Sequence, residues 1–448
     1  MTTEFHNKHL VTIVGAGPAG LFAAKHLASA GVNVILLNRD IKPGGLAEYG
    51  IYHDKYKMKE GLRKQFRQIL AMPEIKYYGN VTVGMETGLS LDDLRAMGSQ
   101  AIIVAAGAQG TKWLGLPGED LQGVYHAKDI VYHYNSLPPF STMEFQIGRR
   151  VALIGVGNVM MDIAHWAVRD LMVDEVVAVA RRGPAEVKFT KNEMQNVAAN
   201  LDLEALETEI ERVAPRMEAV DQDPQAAKDF ILSALAKALE PVPDTRFTFQ
   251  FLSSPSRIVG DENGQVNGLE VDDTELVPRN GDTKAQKLGT KRILDVDTVV
   301  FCIGDRVDDK FGLPVKWNEF VKNPEPIYPI NGTSYEAYDP ETEKPIEGLF
   351  VAGWSREASS GLVGVARKDG VNGAKATLEY LKASSPIEDS SAVLEKLDLK
   401  LTQMEQPAVS KDEIKRLEEM ERVEAEKRGL ETYKMKSNQE MLAALGLL

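Results

Sequence analysis

Short apolar runs recur along the chain, each closing on glycine or another small residue. Leu10 to Val14 is unbroken enough for a strand buried on both faces, and Leu21 to Ala30 has the small, apolar character of a packed helix. Gly31 to Leu37 predicts a second strand, so this stretch makes a strand–helix–strand unit of about 30 residues. The pattern returns in Val151 to Ile154, a helix from Val159 to Trp166, and a strand Val176 to Ala180. Three further runs, Ala101 to Ala108, Asp297 to Gly304 and Gly348 to Trp354, read as buried strands with small-residue ends, where backbone can pass close to a bound group. Asn263-Gly264, between Arg257–Val259 and Val266–Leu269, predicts a hairpin.

Glycines stand at both strand-to-helix junctions. Gly15, Gly17 and Gly20, with Pro18 and Ala19 between them, form a G-x-G-x-x-G loop. A turn without side chains lets a pyrophosphate reach backbone N–H groups at the positive end of a helix. The second loop, Gly155, Gly157, Asn158 and Val159, carries Met160 in place of the third glycine, which is expected to hold helix and strand further apart. One loop binds one dinucleotide, so two imply a protein that brings two together, most economically a flavin fed by a nicotinamide.

The ends of the two second strands differ. Asn38 stands where an acid would take the ribose hydroxyls; its amide can bond a hydroxyl without charge, and Asp40, beyond Arg39, is the substitute if the strand end shifts. At the other site Arg181 and Arg182 suit a 2′-phosphate, which makes that site NADPH-selective; the alternative is an exposed basic turn before Gly183-Pro184. The run Pro43, Gly44, Gly45, Leu46 through Gly50 offers backbone that can lie against a flat ring or a phosphate, or is a plain loop.

Composition narrows the class. The 448 residues carry a net charge of −14, which argues against general nucleic-acid binding, and no apolar run approaches the roughly 18 residues of a membrane span. Cys302 is the only cysteine, which excludes an internal disulfide, a redox Cys-x-x-Cys pair and an iron–sulfur cluster on the chain's own thiolates. No metal is expected, and a reducing cytoplasm is the expected setting. The expected fold is α/β, two Rossmann-like dinucleotide-binding domains of three-layer β-β-α and α-β-α character, one inserted in the other. The first domain takes 1–109 and 336–388, the second 110–335. Residues 389–448 form a charged helical extension whose stretch from Lys411 to Arg428 reads as a solvated helix.

The chain resembles the adrenodoxin reductase-like ferredoxin–NADP reductases, which are related to the NADPH-oxidising subunit of glutamate synthase. The resemblance rests on Tyr78 to Gly84, Leu116 to Leu121 with Gly123-Val124, Gly157 to Val159 with Asp162, Arg181 to Pro184, Phe189-Thr190, Gly353-Trp354, and Gln439 to Leu442 before Leu445-Gly446. It implies FAD at the first site, NADPH at the second, hydride transfer to the flavin and single-electron delivery to an iron–sulfur protein. It places Gly361, Leu362 and Val363 at the flavin pyrimidine edge, Trp354 beside the isoalloxazine, and Val81, Ala106, Gly107 and Gly353 around the FAD. Asn158 and Val159 would hold the nicotinamide pyrophosphate, and Glu193 would support that nucleotide or a proton path.

Departures from the family pattern bear on the chemistry. Where the family has Pro-Asp-His, this chain has Asp54 followed by Lys55, with His53 as a displaced substitute. Trp354, Asp162 and Lys55 are the side chains carried as candidates beside the reacting groups, although the flavin itself needs no nucleophile or general base. After Trp354 the chain reads Ser355 to Gly361, with one positive charge fewer than the family. Lys55, Lys57, Lys59, Arg63, Lys64 and Arg67 could steer an acidic ferredoxin or flavodoxin, or form a solvated helix face. The alternatives are a flavin reductase for a small organic acceptor, an electron-input subunit of a larger complex, and a nucleotide-binding scaffold without turnover.

Overall fold

The computed structural model describes residues 5–358, 361–387 and 389–448. The chain divides into two compact units, the first comprising Met1–Gly110, Tyr132–Thr142 and Asp305–Leu448, the second Thr111–Val131 and Met143–Gly304. The second unit is thus inserted in the first. The expected boundary near residue 335 moves to 305, and residues 132–142 return to the first unit, where Tyr132 and Leu137 pack against Tyr49.

In the first unit seven strands form one sheet, in the order Glu336–Asp339, Lys344–Val351, Ala101–Val104, Leu10–Val14, Asn33–Leu37, Ile75–Gly79 and Val409–Ser410. The inner strands are parallel, and the two outermost pair antiparallel with their neighbours. Successive residues of Leu10–Val14 enter cores on opposite faces of the sheet, which is why the run is unbroken in the sequence. On one face the helices Pro18–Ser29 and Val363–Lys382 pack so closely that a Cβ on Gly370 would stand 2.0 Å from the Ala19 carbonyl oxygen.

The C-terminal stretch corrects the expectation of a solvated helix. Val409–Ser410 adds the edge strand beside Ile75–Gly79, and helix Lys411–Arg428 buries Ile414, Leu417, Glu421 and Ala425. Helix Asn438–Leu445 adds Met441, Leu442 and Leu445 to the same core. The stripe at 414, 417, 421 and 425 keeps helical spacing, but Glu421 interrupts its apolar character and abundant charge surrounds it.

The second unit has a five-stranded parallel sheet, in the order Val124–His126, Thr298–Phe301, Arg150–Ile154, Glu175–Val179 and Arg246–Gln250. A three-stranded antiparallel sheet, Ser253–Gly260, Val266–Arg279 and Asp282–Leu294, shares a core with it through Ile258, Leu269 and Val271. The hairpin at Asn263-Gly264 joins the first two of these strands as expected. A second Asn-Gly pair, Asn280-Gly281, turns between the next two with both residues at positive φ.

Candidate functional site

The glycines of the first loop do three different things. Gly15 has φ +110°, and a Cβ there would stand 2.4 Å from the Ala105 carbonyl oxygen, so the loop lies against the end of the strand Ala101–Val104. A Cβ on Gly20 would meet the Gly15 carbonyl oxygen at 1.8 Å, which brings the helix down onto the loop. Around Gly17 the nearest atom to such a Cβ is the Cα of Gly45, 4.0 Å away. Gly45 has φ +48°, and its own Cβ would come within 3.1 Å of Gly17. Gly17 and Gly45 therefore make a bare backbone ledge. Helix Pro18–Ser29 starts on it with Pro18 at its first turn, no side-chain cap and no acid in that turn, so its N–H groups remain for an anion. Ala19 lines the close helix crossing described above. Leu46, half-buried, opens the short helix Leu46–Tyr49 from Gly45, and Gly50 closes it.

Asn38 does more than its position suggests. It is 6% exposed, its Oδ1 accepts from the Ala16 N–H at 3.0 Å, and its Nδ2 donates to the carbonyls of Asp40 (2.7 Å) and Lys42 (3.0 Å). Both N–H groups are spent inside the protein, so Asn38 anchors the loop, and only the second lone pair of its Oδ1 remains for a ribose hydroxyl. Arg39, next along, is exposed, pairs with Asp40 and donates to Gln109 at 2.9 Å. Val81 is buried and its N–H is taken by the Asn38 carbonyl at 2.9 Å.

The ends of two neighbouring strands are fixed by side chains. The Gly107 N–H donates to Ser355 Oγ at 3.0 Å, beside half-buried Ala106. Gly353, at φ +64°, donates its N–H to Asp369 Oδ2 at 2.6 Å. Asp369 also accepts from the Tyr335 hydroxyl at 3.0 Å and from the Arg356 guanidinium at 2.7 Å. Trp354 sits half-buried in this braced turn. Residues 359 and 360 lie outside the described residues, but Gly361, Leu362 and Val363 lead into helix Val363–Lys382, which has no acid in its first turn; Leu362 is 68% exposed. Asp369 is not among the residues that sequence reasoning singles out. Its one signal is a carboxylate inside the small, buried face made by Gly370, Gly373 and Ala374.

In the second unit a Cβ on Gly155, at φ +125°, would meet the Cys302 carbonyl oxygen at 2.5 Å, whereas nothing lies within 4 Å of one on Gly157. The Asn158 Oδ1 accepts from the Thr190 N–H at 2.8 Å; Val159 is exposed and Met160 fully buried. Arg181 is exposed, whereas Arg182 pairs with Glu186 (2.9 Å) and Asp282 (3.4 Å). Glu193, half-buried, gives its N–H to the Thr190 hydroxyl at the start of helix Lys191–Met194. Asp162 is half-buried. Burial, and then the Asp162 charge, push the Cys302 thiol well above its usual range, which disfavours its thiolate.

The basic stretch is also corrected. Lys59 is buried with its ammonium on Asn135 Oδ1, and Arg63 holds Glu48 through two bonds of 2.7 Å. Neither belongs to a docking face. Arg67 is partly exposed and pairs with Glu60 and Glu418, while Lys57 and Lys64 are exposed. Lys55 is half-buried at the start of helix Tyr56–Leu70, and His53 lies against the Tyr52 ring at 4.5 Å.

Residues 9–228 match the pyridine nucleotide-disulphide oxidoreductase family. The NADPH-ferredoxin reductase FprA of Mycobacterium leprae is 30% identical over 422 residues, 86% of this chain and 87% of the relative. The mitochondrial NADPH:adrenodoxin oxidoreductase of Arabidopsis thaliana is 28% identical over 388 residues, 79% of this chain and 78% of that one. The structure of Mycobacterium tuberculosis FprA in complex with NADPH covers 98% of this chain with a TM-score of 0.79 and 26% identity, and 99% of that chain is matched. That identity over most of both chains, on a fold with two glycine loops and an inserted second unit, shows that this chain belongs to the NADPH-ferredoxin reductase family of flavoprotein oxidoreductases.

Proposed function

We propose that the protein takes a hydride from NADPH onto FAD and passes electrons singly to a ferredoxin-type iron–sulfur protein. The observation that carries the assignment of the two cofactors is the contrast between the loops: each offers open backbone at its central glycine, but the exposed Arg39 beside the first is paired with the adjacent Asp40, whereas the second is followed by two consecutive arginines, Arg181 and Arg182. FAD, when bound, supplies the conversion between a two-electron donor and a one-electron acceptor.

The chain's own residues hold and orient. Gly15, Gly17, Gly20 and the first-turn N–H groups of helix Pro18–Ser29 would take the FAD pyrophosphate, with Pro18 and Ala19 setting that turn. Gly45, Leu46 and Gly50 would border it, and Arg39 would flank the adenosine end with the backbone of Val81. Ala106, Gly107, Gly353 and Trp354 would border the ring. Gly361, Leu362 and Val363 would present the positive end of a 20-residue helix to its anionic edge. In the second unit Gly155, Gly157, Asn158 and Val159 would take the NADPH pyrophosphate, and Glu193 would support that nucleotide. Arg181 would take the 2′-phosphate, with Arg182 stiffened beside it by Glu186 and Asp282. Asp162 and Lys55 remain candidates for positioning the reacting groups.

The proposed acceptor is an acidic ferredoxin, with flavodoxin as the related choice, in the cytoplasm; among the described residues no helix is long and apolar enough to cross a membrane. A second reading, in which a small organic molecule accepts the electrons, is favoured by the loss of Lys59 and Arg63 from the basic face. Comparing NADPH-driven reduction of a plant-type ferredoxin with reduction of free flavins and quinones separates them. A ferredoxin rate no higher than the rate of autoxidation would overturn the first reading.

A further inference from the structure

A cavity of about 110 Å³ lies in the first unit, lined by Tyr56, Lys59, Arg63, Ser136, Thr432 and Lys434 among others, with no acidic residue in its lining. Three basic side chains therefore meet at one space. The carboxylate behind them is Glu48, which takes Arg63 bidentately and Lys434 at 2.5 Å. Arg63 also meets the exposed Glu60 at 3.5 Å, whereas Lys434 has Glu48 as its carboxylate. Lys59 has only amide oxygen: its ammonium donates to Asn135 Oδ1, and Lys434 donates to the carbonyl of the same residue at 3.0 Å. Nearby Lys42 and Glu421 already neutralise each other at 2.6 Å and leave nothing over for the cavity.

A structural clamp between the C-terminal stretch and helix Tyr56–Leu70 would match its charges. This one sets three basic side chains against two carboxylates, Glu48 and the exposed Glu60, an excess of one positive charge, and the buried Lys59 has no carboxylate partner. An ammonium taken out of water must find a counter-charge or give up its proton. Burial, and then the charge of Lys434, bring Lys59 down to about 7, while burial, against the pull of Glu48, brings Lys434 down to about 8. Hydroxyl donors complete the lining through Tyr56, Ser136 and Thr432.

We propose that this cavity is a binding site for a small oxyanion of the size of inorganic phosphate, held by Lys59, Arg63 and Lys434 with hydroxyl support from Ser136, Tyr56 and Thr432. It is separate from both glycine loops. It borders the flavin loop through Glu48, which lies on the short helix Leu46–Tyr49 that Gly45 opens. Occupancy therefore bears on the ledge from behind, through the cations that hold Glu48.

The test is calorimetric titration of the FAD-containing protein with inorganic phosphate in a chloride buffer near neutral pH. Saturating NADP⁺ keeps both nucleotide loops filled. One phosphate per chain is expected, with proton uptake revealed by buffers of different ionisation enthalpy. Lys59→Met should weaken binding by about tenfold or more, Thr432→Val by severalfold, and Lys64→Met, on the exposed side of the same helix, not at all. Thr432 is exposed, so its variant keeps the test alive should Lys59→Met lose its fold. The proposal is overturned by an absence of saturable binding to the wild-type protein, by phosphate binding that NADP⁺ abolishes, or by wild-type affinity in Thr432→Val and in any folded Lys59→Met.

Discussion

The side-chain oxygen of Asn38 accepts the Ala16 N–H at 3.0 Å, joining two residues 22 positions apart. The Ala16 carbonyl in turn accepts from the Gly44 N–H at 2.8 Å. Three loops that border the proposed FAD site are thereby one hydrogen-bonded assembly, and its central amide needs both an acceptor and two donors. Asn38→Asp removes the donors and sets a carboxylate against the Asp40 and Lys42 carbonyls. The expected outcome is a loss of about 1–3 kcal/mol of stability and a fall in retained flavin. Thermal unfolding combined with the flavin-to-protein absorbance ratio checks this, and a variant at least as stable and as yellow as the wild type would show that Asn38 serves the ribose instead.

Gly15 and Gly17 should respond differently to the same substitution. Gly15→Ala drives a methyl group into the Ala105 carbonyl at positive φ and should damage folding itself. Gly17→Ala meets only the Cα of Gly45 at van der Waals distance, so the apoprotein should fold normally and fail to hold FAD. Circular dichroism with flavin content separates the two; a stoichiometric yellow Gly17→Ala protein would move the FAD away from this ledge.

Asp369 gathers Gly353, Arg356 and Tyr335 on one buried carboxylate. Asp369→Ala leaves Arg356 with the exposed Glu357 and the Tyr335 ring, strips Gly353 N–H of its acceptor, and should cost about 1–3 kcal/mol in denaturant unfolding. Asp369→Asn keeps the acceptor for Gly353 and should cost less.

The two arginines of the second site are not equivalent. Arg181→Ala should remove a charge-assisted contact with the 2′-phosphate, lowering kcat/KM for NADPH by about ten- to a hundredfold while sparing NADH. Arg182→Ala should act more weakly and lower stability slightly, because Glu186 and Asp282 lose their ion pair and keep only neutral donors. Equal effects of the two variants on NADPH would contradict this division.

The Lys59 environment makes a pH prediction. Burial and Lys434 bring it to about 7, whereas an unfolded lysine titrates near roughly 10.4. Between those values the unfolded chain binds more protons, so stability should rise as pH increases. Glu48 and Asp54 oppose the shift and Arg63 supports it. In a phosphate-free buffer the denaturation midpoint should climb between pH 7 and 9, and climb less in Lys59→Met; identical profiles would remove Lys59 as the source.

The parallel strands and both glycine loops were legible because each is local: an apolar run, a turn without side chains and a helix follow one another within the chain. What was not legible depends on partners distant in sequence. Asn38 carries the right residue type for a ribose contact, and only the fold shows Ala16, Asp40 and Lys42 engaging its amide. Lys59 and Arg63 look like surface charge until Asn135 and Glu48 are brought against them. Glu421 hid the apolar stripe of the C-terminal helix because its partner, Lys42, lies 379 positions away. The Asn280-Gly281 hairpin, by contrast, carried the same signal as Asn263-Gly264 and was open to recognition.

The most direct test of the account is an anaerobic titration of the purified protein, followed in the visible spectrum. The protein should be yellow as isolated, and one equivalent of NADPH should bleach the flavin band, with NADH far slower. Two equivalents of an oxidised one-electron ferredoxin should then restore it in one-electron steps. A colourless protein that cannot be reconstituted with FAD, or a flavin band that NADPH leaves unchanged, would contradict the assignment of two coupled dinucleotide sites.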